Sequence, residues 1–298
     1  MVRRPLRAAR TVPGLVKLMT TAVHVPSEQI ADAAVDALLT EALLTPKPGL
    51  VDAAGRHSHP DMSLALLAGS AETLREPLRR CADAAREMPL GLDLRARVGE
   101  IGRAGERRML TTTDGINTHR GALWALGLLC AGVAVSETTA AAVAFAAHLA
   151  QLTDPARGHS LSHGERARLR YGATGAAGEA QQGFPHVVAR GLPMLRSGRH
   201  SGISSDAAAL NALMAIMASL DDTCVLHRGG RHGLTFVHRS AAGVLRSGGC
   251  ATPAGQRRLE RFCRRAHRRG LSMGGSADLL AASLFLDAVT PEGPICKR

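Results

Sequence analysis

The sequence predicts an all-α protein, and three observations support this. Apolar residues recur at helical spacing along almost the whole chain, as at Ile30, Val35, Leu38 and Leu39. No stretch alternates apolar and polar residues over the length that a β-strand needs. Aromatic residues make up only 2% of the 298 residues. Ala, Leu, Val, Ile and Met must therefore fill the core, and small unbranched side chains favour closely packed helices.

The same spacing sets the expected order of elements. We predict helices near 28–44, 61–84, 93–109, 119–134, 136–151, 162–170, 205–219, 254–268 and 276–287. Polar, glycine-rich loops are expected at 49–60, 111–118, 153–161, 171–186, 220–233 and 270–275. We interpret 26–290 as a single multi-helix domain whose Gly-rich loops carry the chemistry. A flexible basic extension over 1–25 precedes it, and a domain boundary near 188–204 is the alternative.

The charge balance narrows the kinds of partner. The chain has 37 Lys and Arg against 25 Asp and Glu, a net charge of +12. Such a chain suits nucleic acid or a polyphosphate ligand. Its basic residues are not interleaved with aromatic ones, as a single-strand binding surface requires, so we expect no nucleic-acid partner. The arginines between 257 and 269 are interpreted as a solvated helix face.

Cysteine usage and hydropathy indicate the compartment. None of the six cysteines falls in a C-x-x-C pair, which favours reduced thiols in a cytoplasmic protein. The most apolar run, 121–135, is too short to cross a bilayer. It predicts a buried helix and no membrane association.

The strongest local signal is the segment T-P-K-P-G at 45–49, where proline ends the first helix. Lys47 stands between two prolines, so it would lose little further backbone freedom on binding a phosphate. Glu41, Asp52 and Asp61 surround it in sequence, and carboxylates beside a lysine suit a magnesium–nucleotide site. The alternative is a helix stop with solvated charges.

A second segment, N-T-H-R-G at 117–121, leads into the apolar run. A helix N-terminus with an adjacent arginine is an anion site, which would involve Asn117, His119 and Arg120. Thr118 as a plain N-cap with solvated neighbours is the alternative. The pattern D-x-x-x-x-H-R-G occurs at 114–121 and again at 222–229, through chance or through a duplicated half-site.

The region 170–186 is rich in glycine, which lets a backbone approach a ligand closely, and Arg170 opens it. A flexible surface loop is the alternative. Further on, Asp221 and Asp222 are adjacent carboxylates that suit a metal, and His227 could move a proton near neutral pH. A capped helix followed by a turn would explain the same residues.

The last such segment is G-G-S at 274–276, where a glycine loop opens a helix and could hold a phosphate. Ser276 as an ordinary N-cap is the alternative.

Together these segments resemble the triphosphoribosyl-dephospho-CoA synthase family. The matching pieces are L-T-P-K-P-G-L-V-D at 44–52, N-T-H-R-G-A at 117–122, R-Y-G at 170–172 with G-E at 178–179 and G-F-P at 183–185, L-H-R-G-G at 226–230, and G-G-S-A-D-L-L-A at 274–281. They follow the family's order and cover roughly 28–287. Two departures stand out. The family has Asn and then Gly-Ala-His where this chain reads G-R-H-S-H at 55–59, and it has Asn where this chain has Cys224.

The resemblance implies an all-helical pentosyltransferase that takes ATP and 3′-dephospho-CoA. It would join the triphosphoribosyl group to the 2′-hydroxyl and release adenine. The product would be the prosthetic-group precursor for the acyl-carrier subunit of malonate decarboxylase or citrate lyase, with the malonate decarboxylase branch favoured. A phosphoribosyl-dephospho-CoA transferase and that carrier subunit would be pathway partners, and a homodimer is considered. The alternatives are a magnesium-dependent enzyme similar to ADP-ribosyl hydrolases, and a non-catalytic CoA- or nucleotide-binding protein.

This chemistry needs an acid for adenine, a base for the hydroxyl, negative charge near C1′ and positive charge near the phosphates. We predict Glu41, His119, Asp222 and His227 as catalytic residues. The predicted nucleotide-binding residues are Lys47, Asn117, Arg120, Arg170, Arg228, Gly229, Gly274, Gly275 and Ser276. We predict that Asp52, Asp61 and Asp221 bind Mg²⁺.

Overall fold

The structure, a computed structural model, describes residues 25–156 and 163–290. The described residues form helices and no β-strand, which confirms the all-α prediction. The helices are α1 (Ser27–Leu43), α2 (Leu64–Thr73), α3 (Arg75–Glu87), α4 (Leu92–Thr112), α5 (Arg120–Ala134), α6 (Thr139–Gln151), α7 (His163–Tyr171), α8 (Gly175–Gln181), α9 (Leu192–His200), α10 (Ser205–Met217), α11 (Thr223–Arg246), α12 (Pro253–Arg268) and α13 (Gly274–Val289).

The centre of the fold is α5, which is buried along most of its length. It packs against α1, α3, α6 and α13 within the larger of two hydrophobic clusters among the described residues. Small residues allow this close packing. At Gly132 an added Cβ would overlap the backbone of Ala142, so glycine is what lets α5 and α6 approach each other. No helix in the described ranges is long and apolar enough to cross a membrane.

Several element boundaries differ from the predictions. The helix expected over 61–84 is two helices, α2 and α3, which meet at Leu74. The loop expected over 171–186 contains α8. The domain boundary considered near 188–204 is wrong, because a π-helical turn, Val187–Gly191, continues directly into α9 and packs on α13.

The largest difference lies in the second half of the chain. The segment expected as a loop over 220–233 forms the first part of α11, which continues to Arg246. Gly230 interrupts this helix with φ 59° and ψ −161°. The basic extension expected over 1–25 lies outside the described residues except for Val25, and part of the loop expected over 153–161 does so as well.

Candidate functional site

The candidate site lies where the carboxyl end of α1 meets the amino ends of α5, α11 and α13. The loop after α1 packs against the loop before α13, where a Cβ on Gly49 would overlap the carbonyl of Leu271. Gly49 has φ +63°, so this position needs glycine for its backbone as well as for space. The fold therefore brings together four of the five motif segments that the sequence singled out.

Lys47 is buried at the centre of this meeting point, with 1% of its surface exposed. Its Nζ donates to Glu41 Oε1 at 2.8 Å, to the Glu41 carbonyl at 2.5 Å and to the Ala42 carbonyl at 3.2 Å. These are the three hydrogen bonds that an ammonium group can donate. The phosphate contact predicted for Lys47 is therefore not what this geometry shows, because the ammonium instead binds Glu41 and the last turn of α1.

Asp52 holds the loop that carries Lys47. Its Oδ2 accepts the backbone N–H of Lys47 at 2.8 Å, and its Oδ1 accepts from the Ala54 N–H at 2.9 Å and bonds to His57 Nε2 at 2.8 Å. The carboxylate is buried and used by its own loop. This arrangement shapes the loop and leaves Asp52 poorly placed to be a metal ligand.

His119 is buried and lies at the N-cap position of α5. Its Nδ1 lies 2.9 Å from Ser70 Oγ, which also contacts Thr118 Oγ1 at 2.5 Å. Burial lowers the pKa of His119 to about 4, with nearby Glu41 raising and Lys47 lowering it more weakly. The imidazole is therefore neutral near pH 7. Thr118 is not the N-cap that was considered, because His119 holds that position.

Asp222 joins α11 to α13. It caps α11 by accepting the N–H groups of Cys224 at 2.9 Å and Val225 at 3.4 Å, and its other oxygen accepts from Ser276 N at 2.8 Å and Ser276 Oγ at 2.9 Å. Ser276 therefore lies inside α13 as a donor to Asp222 and does not cap that helix. Burial raises the pKa of Asp222, and these four hydrogen bonds oppose that shift.

The glycines before Ser276 are closed in by protein. A Cβ on Gly274 would lie 3.1 Å from Cys224 Sγ, and one on Gly275 would lie 3.1 Å from Asp222 Oδ1. The loop thus lies against the start of α11, and a larger residue at either position would push Cys224 or Asp222 away by a few tenths of an ångström.

Arg228 ties the Lys47 loop to the loop before α13. Its Nη1 donates to the Ser58 carbonyl at 2.7 Å and to the Gly270 carbonyl at 3.3 Å. Buried His59 contacts Ser272 Oγ at 3.0 Å through Nε2. Burial, and next the charge of Arg228, lowers the pKa of His59 to about 4. Arg228 itself is exposed, so it sits at the rim of the site.

Other predicted residues lie at the surface around this cluster. Arg120 pairs with Glu106, and Asn117 Oδ1 accepts the Arg120 N–H at 3.2 Å. Arg170 is exposed and stacks on the Tyr171 ring at 5.3 Å, while His227 is exposed on α11. The two D-x-x-x-x-H-R-G segments are not equivalent in the structure. His119 is buried and precedes α5, whereas His227 is exposed and lies within α11.

The three predicted magnesium ligands do not form one site. Asp61 and Asp221 are exposed, whereas Asp52 is buried and bonded within its loop. Across 25–156 and 163–290, no group of three or more His, Cys, Asp or Glu side chains is arranged to hold a metal ion. The residues present therefore do not fit a metal held by the protein alone.

Four further residues, to which the sequence predicted no role, lie at this site. Asp278 follows the G-G-S segment and lies against the first turn of α5. Ser70, His57 and Ser272 each bond a residue of the cluster. Asp278 was visible in the G-G-S-A-D-L-L-A segment and His57 in the departure at 55–59, but Ser70 and Ser272 carried no signal in the sequence.

Comparisons with known proteins show the family of this chain. The profile of the CitG family, ATP:dephospho-CoA triphosphoribosyl transferase, matches residues 27–295. A relative from Stutzerimonas stutzeri (strain A1501) is 50% identical over 269 residues, covering 89% of this chain and 93% of the relative. One from Pseudomonas paraeruginosa (strain DSM 24068 / PA7) is 51% identical over 264 residues, covering 87% and 90%.

A relative from Azotobacter vinelandii (strain DJ / ATCC BAA-1303) is 47% identical over 272 residues, covering 89% of this chain and 92% of the relative. All three are named probable 2-(5″-triphosphoribosyl)-3′-dephosphocoenzyme-A synthase. No solved structure matches the chain. The family profile spans most of the chain and the relatives are about half identical to it, so the chain belongs to the ATP:dephospho-CoA triphosphoribosyl transferase family.

Proposed function

We propose that this chain transfers the triphosphoribosyl group of ATP to the 2′-hydroxyl of 3′-dephospho-CoA and releases adenine. The observation that carries the proposal is the cluster around Lys47, where motif segments far apart in sequence meet in one partly buried, strongly charged place. Transfer at C1′ of ribose passes through a positively charged, oxocarbenium-like state, which fixed carboxylates stabilise.

Glu41 is our first candidate for that negative charge. It is buried, and its Oε1 lies 2.8 Å from Nζ of Lys47. In this proposal Lys47 positions Glu41 and does not bind a phosphate. Asp222 is our second candidate, because four hydrogen bonds support its charge and fix its orientation.

His119 is our candidate base for the 2′-hydroxyl. It is neutral near pH 7, and Ser70 fixes its ring. A neutral imidazole next to Glu41 can accept a proton, and the carboxylate stabilises the cation that forms. His227 lies on the exposed side of α11, so we assign it to the rim with the phosphate-binding groups.

The triphosphate and the diphosphate of dephospho-CoA would lie at the rim, where arginines are accessible. Arg228 and Arg120 flank the cluster, and Arg170 adds charge beyond α11. Asn117, Gly229 and the 274–276 segment would supply neutral contacts. Arginine suits this task because its planar guanidinium bonds phosphate oxygens in pairs.

Magnesium enters this proposal only as part of the substrate. Mg²⁺ binds triphosphate oxygens and keeps several waters, so Mg-ATP needs few protein ligands. We assign no step to a metal held by the described residues, in line with the absence of a three-ligand group among them.

The test is mass spectrometry of a reaction that contains the purified chain, Mg-ATP and 3′-dephospho-CoA. We expect free adenine together with one triphosphoribosylated product. Adenine release from ATP without dephospho-CoA would favour a hydrolase, and nucleotide binding with no adenine release would favour a binding protein. Either result would contradict the proposal.

We further propose that the product serves the acyl-carrier subunit of malonate decarboxylase or citrate lyase in the cytoplasm, after a second transferase attaches it. Loading of each apo carrier by that transferase, with the product as donor, distinguishes the two. The homodimer considered above is tested by light scattering of the same preparation.

A further inference from the structure

Asp278 has no role in the site as described so far. It lies near the start of α13, where the residue as a whole is half-buried. Its carboxylate lies against the amino end of α5 and accepts a hydrogen bond from the backbone of Ala122. A Cβ on Gly121 would overlap its Oδ2, so glycine at this position makes room for the carboxyl group.

Three carboxylates lie near one another here, and they differ in what supports their charge. Glu41 is paired with Lys47, and Asp222 accepts four hydrogen bonds. Asp278 has the backbone bond from Ala122, and no lysine or arginine of the described residues pairs with it. Of the three, Asp278 is therefore the carboxylate with the fewest neighbouring groups that support a negative charge.

The groups that face Asp278 come from each neighbouring element. They are Glu41 at the end of α1, and Asp222 and Cys224 at the start of α11. His119 precedes α5 and lies close to Glu41. Burial first, then Asp222 and then Glu41, raises the pKa of Asp278 well above its usual value. The Cys224 thiol and the His119 ring are neutral near pH 7 because burial raises the pKa of the first and lowers that of the second.

We propose that Asp278 is the general acid that protonates adenine as the bond between the base and C1′ breaks. This inference rests on the proposed function. The electron pair of the C1′–N9 bond moves onto the base while the Asp278 proton moves to a ring nitrogen, so adenine leaves neutral. The O2′ of dephospho-CoA bonds to C1′, and its proton returns to the Asp278 carboxylate through His119 or water. One proton has then moved from the hydroxyl to adenine, and nothing else is consumed.

The experiment compares Asp278→Asn with the wild-type chain on two donors, ATP and 7-methyl-ATP. The base of 7-methyl-ATP already carries a positive charge and leaves without a proton. General acid catalysis contributes about 10²–10⁴-fold, so Asp278→Asn should lower kcat/KM with ATP by about 100-fold or more. With 7-methyl-ATP the same variant should stay within about fivefold of wild type.

Asp287→Asn is the matched control, because Asp287 lies on the same helix and pairs with Arg196 at 3.4 Å. It should react with both donors as the wild type does. An equal loss with both donors in Asp278→Asn would overturn the acid role and leave the proposed function standing. No adenine from wild-type protein would instead overturn the proposed function.

If Asp278→Asn does not fold, the wild-type pH dependence decides. With ATP, kcat/KM should fall as the pH rises and Asp278 loses its proton. With 7-methyl-ATP this alkaline decrease should be absent. The same alkaline decrease with both donors would refute the proposal.

Discussion

Replacement of Lys47 by methionine tests the buried ion pair most directly. The change keeps most of the apolar stem and removes the charge, which leaves the Glu41 carboxylate buried without its cation. The Lys47 side chain is 1% exposed and that of Glu41 is 9% exposed, so water replaces little of what is lost.

The size of the effect follows from that burial. Removal of one partner from a buried ion pair costs about 3–5 kcal/mol, against about 0–1 kcal/mol for an exposed pair. The variant also loses two bonds to carbonyls at the end of α1. At roughly 2–4 °C per kcal/mol for a chain of this size, Tm should fall by about 6–20 °C.

The assay is chemical denaturation with a parallel thermal scan. Arg97→Met is the control, because Arg97 pairs with Glu100 at 2.6 Å on the exposed side of α4. It should change the free energy of unfolding by less than about 1 kcal/mol. The double variant Lys47→Met/Glu41→Gln should recover part of the loss, since no unpaired charge remains. Equal unfolding free energies for Lys47→Met and Arg97→Met would refute the buried-pair reasoning.

Three further predictions follow from the same geometry. Gly121→Ala should slow adenine release at least about tenfold, because the new methyl group displaces the Asp278 carboxylate and each ~1.4 kcal/mol added to the barrier is a factor of ten. Gly127→Ala is the control and should keep wild-type rates, because its Cβ would lie an ordinary 3.5 Å from the sulfur of Cys81. Arg228→Met should raise the KM of dephospho-CoA by about tenfold and speed amide hydrogen exchange over 53–59. The reason is that it removes the hydrogen bond from Arg228 to the Ser58 carbonyl, and hydrogen bonds of charged groups are worth about 1.5–3 kcal/mol. Unchanged exchange would show that Arg228 does not hold this loop. His59 and His119 have pKa values of about 4 in the folded chain, against an ordinary value of 6.5. Between pH 4 and 6.5 the unfolded chain therefore binds more protons than the folded chain. The free energy of unfolding should fall as the pH drops from 6.5 to 4. A flat pH profile in denaturation experiments would contradict the last of these.

Much of the fold follows from local sequence. The end of α1 is predicted from Pro46, because proline disfavours helix in the residue before it, and α1 ends at Leu43. The buried helix at 121–135 is predicted from composition and is α5. These features depend on chain neighbours or on hydrophobic patterning, both of which a single sequence displays.

Other features depend on contacts between distant segments. The start of α11 contains Gly229 and Gly230 and was interpreted as a loop, yet Leu271 packs so closely there that a Cβ on Gly229 would overlap it. Glycine at that position reflects a tertiary contact more than a flexible backbone. The sequence also could not predict the direction of the Lys47 side chain. Pro46 and Pro48 restrict the backbone but do not determine whether the ammonium group points into the protein.

The site shows the same division. Most residues of the site could be predicted from the sequence, but the hydrogen bonds between them could not. Asp222 and Ser276, for example, are 54 positions apart. Asp278 stood in a recognised segment without a role because its significance lies in what surrounds it. A carboxylate becomes an acid through the charges and burial around it, and the charges here come from Glu41 at the end of α1 and Asp222 at the start of α11.

The two departures from the family pattern now have a structural explanation. His57 stands where the family has glycine, and its φ of +46° lies in the region that glycine favours. Its bond to Asp52 offsets that strain, which costs about 1–3 kcal/mol, because hydrogen bonds to a charged group contribute about 1.5–3 kcal/mol. The backbone N–H of Cys224 donates to Oδ1 of Asp222, the N-cap of α11, which is a contact that any side chain at 224 permits. The sulfur of Cys224 lies against Gly274. Both departures thus preserve the positions of Asp52 and Asp222, the two carboxylates that hold the loops of the site in place.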